Sequence, residues 1–139
     1  MKIKFILFTF VSLILLFSCN KKEITTDTEF EIEKSFKIND VYQSNSNSLK
    51  FKITEINDSR CPSDVTCVWE GKADVSIQVE SPVVGNIVLS TINNGFDQTT
   101  DTLGNFSFQL IEVSPYPIST QTINLEDYQV KLKVKNLNL

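Results

Sequence analysis

Apolar and polar residues alternate along much of the chain with the period of two that is typical of half-buried β-strands. The pattern is clearest from Ala73 to Glu80, where Ala, Val, Ile and Val alternate with Asp, Ser, Gln and Glu. Comparable apolar or alternating stretches are Phe30–Ile38, Leu49–Ile56, Ile87–Ile92, Phe106–Val113 and Tyr128–Lys135. Each predicts a strand with one face buried and the other in water.

Turn-forming residues separate these stretches. Asn and Gly tolerate positive φ, and proline ends a strand. The predicted turns, breaks and polar loops are Asn39-Asp40, Gln43–Ser48, Ser81-Pro82, Gly85-Asn86, Asn93-Asn94-Gly95, Asp97–Asn105 and Ser114–Pro117. A segment from Ile118 to Asp127 is a further predicted loop.

Six or seven short strands without a helical period predict an all-β domain. We expect an antiparallel β-sandwich of immunoglobulin-like size, with a small closed β-barrel as the alternative. Residues 30–139 are enough for one such domain. Lys131, Lys133 and Lys135 share one face of the last strand, which favours a solvated edge or outer face over a basic binding patch.

The first residues predict export and membrane attachment. A basic start, Met1–Lys4, precedes an apolar run from Phe5 to Phe17, as in a secretory signal peptide. The run is short for a spanning helix, which needs about 20 residues, although a plain signal peptide or an N-terminal anchor is an alternative. Leu16-Phe17-Ser18-Cys19 resembles the lipobox of bacterial lipoproteins. That resemblance implies cleavage before Cys19, a thioether-linked diacylglycerol on it and an acylated amine.

These features divide the chain into a signal peptide (1–18), a lipidated tether (19–29) and the β domain (30–139). More than one acyl chain on a protein holds it firmly on a membrane. The charged residues after Cys19 resemble the tether of surface-displayed lipoproteins of the Bacteroidetes, and also suit a plain solvated spacer. We expect a lipid-anchored protein of the bacterial cell envelope, on the outer membrane, with the periplasmic or surface face left open.

Composition narrows the chemistry. The chain has no histidine, which removes the commonest general base and metal ligand. Loss of residues 1–18 removes Lys2 and Lys4 and leaves 11 basic and 17 acidic side chains, a net charge of −6. Such a charge disfavours nucleic acid, whose phosphates need cations. We therefore expect no nucleic-acid partner, no metal, no cofactor and no enzymatic activity.

The stretch from Asp58 to Gly71 concentrates the unusual residues. It contains the only Trp of the chain and the two cysteines that lie beyond Cys19. In an oxidising compartment Cys61 and Cys67 are predicted to form a disulfide that fixes a local loop. A redox pair would need a C-x-x-C spacing at a helix start, and zinc would need about four Cys or His ligands.

Four residues of this stretch are candidates for recognition: Arg60, Asp64, Trp69 and Glu70. For Arg60, a structural salt bridge with Asp58, Asp64 or Glu70 is favoured over ligand recognition. Trp69 is predicted to pack in the core, with surface stacking on carbohydrate or peptide as the alternative. A calcium site at Asn57, Asp58 and Asp64 is a weaker alternative, because the spacing does not fit an EF-hand loop.

A wider pattern carries a family resemblance. D-S-R-C-P-x-x-V-x-C-V-W-x-G, the following strand, S-P-Y-P and a D-Y-x-V-x-L-x-V end resemble a family of small lipoproteins from Bacteroidetes-type bacteria. The similarity extends from Ile53 to Val134 and implies the fold and the envelope location, without a mechanism. Glu70 departs from the pattern, which has a small residue there. Asp101-Thr102-Leu103 fits the O-glycosylation pattern of the same bacteria, with Thr102 as acceptor in a predicted loop.

Three functions compete at this point. The first is a tethered, non-enzymatic module that binds an envelope protein or glycan or supports an envelope assembly. The second is a protease inhibitor that uses the Cys61–Cys67 loop, with Arg60 as its specificity residue. The third is a small glycan hydrolase based on paired carboxylates among Asp58, Asp64 and Glu70.

Overall fold

Two antiparallel four-stranded sheets pack face to face in the computed structural model, which describes residues 31–44, 48–92 and 94–137. The strands are β1 (Glu31–Phe36), β2 (Val41–Gln43), β3 (Lys50–Asp58), β4 (Ala73–Ser81), β5 (Gly85–Ser90), β6 (Thr100–Leu103), β7 (Phe106–Ser114) and β8 (Gln129–Asn136). A short 3-10 helix, Leu125–Asp127, precedes β8. The sheet orders are β1-β8-β7-β6 and β2-β3-β4-β5. The β-sandwich is thus confirmed, and the barrel alternative is wrong because the sheets remain separate.

The alternating residues build the core. Inward positions of β3, β4, β7 and β8 are buried, while their neighbours face water. Phe51 lies at the centre, with ring centroids 5.2 Å from Phe36, 5.2 Å from Tyr42 and 5.4 Å from Phe108. These rings come from both sheets, so one aromatic cluster joins the two layers. Burial of such side chains stabilises by about 1.5–3 kcal/mol each.

Two edge strands were not expected. β2 and β6 lie at edges of their sheets, and the residues of β6 fall inside the polar loop predicted for Asp97–Asn105. An edge strand needs few apolar residues because only one side is paired, and polar residues there discourage aggregation. Thr102, the predicted glycosylation residue, is therefore an exposed residue of β6 rather than of a loop. Likewise, Gly85 and Asn86 belong to β5 rather than to a turn.

The lysine-rich strand β8 is central, because it lies between β1 and β7. The prediction of a solvated outer face is consistent with this placement, whereas the edge position is wrong. Lys131 contacts Glu33 at 2.6 Å, and Lys133 and Lys135 contact Glu31 at 2.6 and 2.8 Å. These carboxylates neutralise the lysines, so the face is a ladder of surface ion pairs. The pKa of Glu31 is lowered by its hydrogen bonds to the two lysines.

The register assigns the connections to opposite ends of the sandwich. Asp58 pairs with Ala73, Asp74 with Ser90, and Ser114 with Gln129. The connections β3–β4 (59–72), β5–β6 (91–99) and β7–β8 (115–128) therefore emerge together, at what we call the loop end. Glu31 pairs with Lys135, so the described chain begins at the opposite end.

The predicted signal peptide, the lipidated Cys19 and the tether to residue 29 lie outside the described residues. Across the described residues, no helix has the length and apolar character needed to cross a bilayer.

Candidate functional site

At the loop end, the paired segments 59–61 and 70–72 form what we call the neck. The neck supports the loop between Cys61 and Cys67, which we call the cysteine loop. Beyond β3 and β4 the pairing continues, because Ser59 N–H donates to Lys72 O and Cys61 N–H donates to Glu70 O, both at 2.8 Å. Gly71 has φ +71°, and a Cβ there would lie 2.0 Å from Ser59 O. Only glycine allows the two backbones to approach so closely, and it therefore fixes the path of the neck.

The predicted disulfide is confirmed. Cys61 and Cys67 are bonded, with their Cα atoms 5.9 Å apart. The bond closes a small loop above the neck, and both cysteines belong to the same β3–β4 connection. It therefore constrains this connection alone and does not join the two sheets.

Replacing both cysteines by Ser is expected to leave the sandwich folded and to lower the free energy of unfolding by about 2 kcal/mol, since a closed loop of this size restricts the unfolded chain only modestly. Urea unfolding followed by circular dichroism, with and without reductant, measures the change. Reductant is expected to shift the midpoint of the natural protein and to leave that of the double variant in place. A double variant that fails to fold would show that the disulfide holds more than its own loop.

The Arg60 side chain is buried in the neck and forms a bidentate salt bridge with Asp58. Its Nε donates to Asp58 Oδ1 at 2.8 Å and its Nη2 to Oδ2 at 2.6 Å, the paired geometry of a strong arginine–carboxylate contact. The side chains are 7% and 4% exposed. Tyr128 Oη donates a further hydrogen bond to Asp58 Oδ2 at 3.1 Å. Of the three carboxylates considered for Arg60, the structure selects Asp58.

The same guanidinium joins the two sheets. Arg60 Nη1 donates to Val113 O at 2.7 Å and Nη2 to Pro115 O at 3.0 Å. The Tyr116 ring covers the group at 4.5 Å from its centroid. Arg60 thus connects the second sheet to the end of β7 in the first. Its guanidinium is engaged by Asp58 and by the end of β7, which is the structural salt bridge favoured for Arg60 over ligand recognition.

Burial and hydrogen bonding oppose each other at Asp58. Burial by itself raises the pKa of this carboxyl, but the hydrogen bonds and charge of Arg60 outweigh it and hold the pKa below its ordinary value. The pKa of Tyr128 is raised, first by burial and then by the charge of Asp58. Asp58 is therefore ionised and Tyr128 neutral at neutral pH. In these states Asp58 can accept hydrogen bonds from both Arg60 and Tyr128.

Asp64 ties the cysteine loop to the β7–β8 connection. Its carboxylate accepts hydrogen bonds from Ser119 N–H at 2.8 Å and from Ser119 Oγ at 2.5 Å. Ser63 N–H donates to Pro117 O at 3.0 Å beside this contact. The hydrogen bonds from Ser119 lower the pKa of Asp64. Asp64 thus has a structural role in fixing two loops relative to each other.

Lys72 ties in the third connection. Its ammonium contacts Asp97 and also Asp74, the latter at 3.1 Å. The turn that carries Asp97 is closed by Asn94 Oδ1, which accepts from the backbone N–H groups of Phe96 and Asp97 at 3.0 and 2.9 Å. This confirms the turn predicted at Asn94-Gly95. All three connections are therefore held together by hydrogen bonds or ion pairs.

Large apolar side chains remain in water on these fixed loops. Trp69 is 82% exposed and Val68 88% exposed beside the disulfide, and Phe96 is 99% exposed at the tip of the β5–β6 connection. The core position predicted for Trp69 is wrong, because the neck and disulfide hold it outside the sandwich. Phe96 was not a sequence candidate, although its position beside Asn-Asn-Gly indicates a turn tip. We call Val68, Trp69 and Phe96 the apolar tip residues.

A groove of about 290 Å³ lies beside the neck. Its lining residues include Arg60, Glu70, Ile92, Ile111, Glu112 and Tyr116. Glu70, the fourth candidate, is exposed and lines this groove, while its backbone oxygen accepts a hydrogen bond from Cys61 N–H. The groove therefore combines apolar walls with two acids.

The hydrolase and calcium hypotheses both require free carboxylates. Asp58 is occupied by Arg60 and Tyr128, and the lowered pKa values of Asp58 and Asp64 do not suit a general acid, which must hold a proton. No group of three potential metal ligands occurs in the described part of the chain. Of the three acids considered for a hydrolase, Glu70 is therefore the one left for the general-acid role.

Comparison with known proteins gives no assignment. No protein-family model matches the chain, and neither a curated protein nor a solved structure matches it.

Proposed function

We propose that this protein is a lipid-anchored, non-enzymatic binding module of the bacterial cell envelope, related to the small Bacteroidetes-type lipoproteins, and that its loop end binds a protein partner. The observation that carries the proposal is the exposure of the apolar tip residues on loops that are fixed before any partner arrives. Exposed aromatic anchors dominate many protein interfaces. Loops that are already ordered lose little entropy on binding.

The position of the tether supports this proposal. A lipid on Cys19 would be joined to β1 through residues 20–30, which span at most about 40 Å when extended. The described chain begins at the end opposite the loops. The proposed anchor therefore presents the loop end away from the membrane surface that holds it, toward a partner.

Replacement of Trp69 by Ala is expected to weaken capture of the envelope partner at least about 30-fold, as for a central interface aromatic worth about 2 kcal/mol or more. The full chain, tagged at its C terminus, is used to capture partners from envelope extracts, and the affinity for the recovered partner is then measured. Val84→Ala is the matched control, since Val84 is 77% exposed at the opposite end. A partner bound equally by both variants would overturn the proposed loop-end site.

Replacement of Cys19 by Ala is expected to abolish incorporation of labelled palmitate and to release the protein from the membrane fraction, because this thiol is the proposed lipid acceptor. Labelling followed by fractionation measures both effects. Cys61→Ser with Cys67→Ser serves as the control and should keep the label. A Cys19→Ala variant that stays labelled would contradict the lipoprotein assignment.

The inhibitor hypothesis keeps one supporting observation, the exposed loop closed by the disulfide. Because Arg60 is paired with Asp58, its specificity residue is sought among the exposed residues of that loop. Recovery of a protease as the captured partner, with inhibition of its activity, would favour this form of the binding function.

A further inference from the structure

The loop end is acidic as well as apolar. The segments 59–72, 91–99 and 115–128 contain two cationic and five anionic side chains. Arg60 is paired with Asp58, and Lys72 with Asp74 and Asp97. Every cation of these segments is therefore already neutralised. A partner that approaches this end meets exposed apolar groups in a negative field, which favours a basic surface.

The groove beside the neck concentrates this character. Glu70 and Glu112 line it together with Ile92, Ile111 and Tyr116. Arg60 also lines it, but its charge is already paired with Asp58. In the part of the chain that the structure describes, neither glutamate makes a hydrogen bond or a close ion pair through its carboxylate, although Lys131 lies opposite Glu112 in the strand register. Both carboxylates thus remain available to a cation.

Size and chemistry limit what the groove can hold. At about 290 Å³ it lies at the lower limit of ligand pockets, which run from about 300 to 1,000 Å³. It therefore suits one side chain of a polypeptide better than a whole small ligand. Lysine and arginine have an apolar stem and a charged head, which matches apolar walls with carboxylates beside them. The Tyr116 ring, which already stacks on Arg60, adds to the apolar wall.

We infer that this groove receives a Lys or Arg side chain of the protein partner, while the apolar tip residues contact the neighbouring apolar residues of that partner. The inference rests on the proposed function, because it specifies the chemistry of the partner bound at the loop end. It assigns Glu70 and Glu112 as the residues that select a basic partner, and Trp69 as the apolar anchor beside them.

A displayed library of random peptides, selected on the full chain, provides the probe. Selected peptides are expected to carry Lys or Arg next to apolar residues. One such peptide and its counterpart with norleucine in place of the basic residue are then titrated against the protein. Trp69 is the only tryptophan, so its fluorescence reports binding at the tip directly.

The double variant Glu70→Gln with Glu112→Gln is expected to bind the basic peptide about 10-fold more weakly and the norleucine peptide unchanged, because only the charge contact is lost. The control is Glu126→Gln with Asp127→Asn, which removes the same charge from the loop end outside the groove. If both double variants weaken peptide binding equally, the effect comes from the total negative charge of the loop end and not from the groove. That result would overturn the groove assignment.

Two other outcomes distinguish a failure of the groove inference from a failure of the proposed function. Selected peptides that depend on Trp69 but lack basic residues would overturn the groove inference and leave the loop-end binding site in place. If no peptide binds in a Trp69-dependent way, or if the loop end binds an arrayed glycan instead, the protein partner itself is wrong and the groove inference falls with it.

Discussion

Arg60→Ala is expected to lower the free energy of unfolding by about 3–5 kcal/mol, the cost of leaving one member of a buried ion pair alone. Asp58 is 4% exposed and would keep only Tyr128 and a backbone N–H as donors. The carbonyls of Val113 and Pro115 would also lose their donor. Domains are stable by about 5–15 kcal/mol in all, so the loss is a large fraction. Urea unfolding followed by circular dichroism is the suitable measurement, since exposed Trp69 reports poorly on the core.

A second variant separates the charge from the packing. Asp58→Leu combined with Arg60→Met replaces the pair by apolar groups of similar size and is expected to recover much of the lost stability. If the double variant is as unstable as Arg60→Ala, the hydrogen bonds to the end of β7 matter more than the ion pair. If Arg60→Ala costs less than about 1 kcal/mol, the pair behaves as a surface salt bridge and the lock between the sheets is refuted.

The pH dependence has a definite sign. The pKa of Asp58 is depressed in the folded protein, so its contribution is fully present above the unfolded value of about 3.9 and disappears as the pH falls through the folded pKa. Asp58→Asn should therefore flatten the acid limb of the stability curve below about pH 4. The other carboxylates with lowered pKa values are more accessible to water than Asp58 and contribute less to this limb.

Gly71→Ala is expected to cost about 3 kcal/mol, because two penalties add. An L residue at φ +71° loses about 1–2 kcal/mol, and the new Cβ would lie 2.0 Å from Ser59 O. The neck must then open, which breaks its backbone hydrogen bonds and moves Arg60 away from Asp58. Urea unfolding gives the cost, and loss of partner binding by a still-folded variant would show the displaced loop.

Gly95 supplies the matched control for that change. It also has positive φ, +90°, but a Cβ there would meet nothing within 4 Å. Gly95→Ala is thus expected to cost only the backbone strain, about 1 kcal/mol. Equal costs at both positions would mean that the neck yields easily and that close approach to Ser59 is unimportant.

Six of the eight strands could be predicted from sequence, whereas the short edge strands β2 and β6 could not. Apolar and polar residues alternate in β4 because one face of the strand is buried. The prediction for Ala73–Glu80 therefore matches the strand closely. β6 contains Thr, Asp and Thr before Leu103, and its strand conformation comes from pairing with β7 rather than from its own pattern. Local sequence does not contain that information, because the pairing partner supplies the hydrogen bonds.

The geometry of the stretch from Asp58 to Gly71 could be predicted only in part. The cysteine spacing predicted the local disulfide, since few alternatives fit two thiols without histidine. The choice of Asp58 for Arg60 depends on where β7 ends in space, and three acids near Arg60 in sequence were equivalent without it. The hydrophobicity of Trp69 predicts a core position, but the tight neck at Gly71 holds the loop outside the sandwich. Side-chain type alone could not reveal that path.

The antiparallel pairing of β1 with β8 has a mechanical consequence under the proposed anchoring. Six residue pairs join these strands, from Glu31 with Lys135 to Phe36 with Val130. Tension between a lipid on the N-terminal side and a partner on the loop end acts along the axis of β1. The hydrogen bonds lie across that direction, so they are loaded in shear and must yield together instead of unzipping one by one. The Glu–Lys contacts of this pair add resistance to sliding. A tethered domain built in this way would stay folded while its partner is pulled away from the membrane.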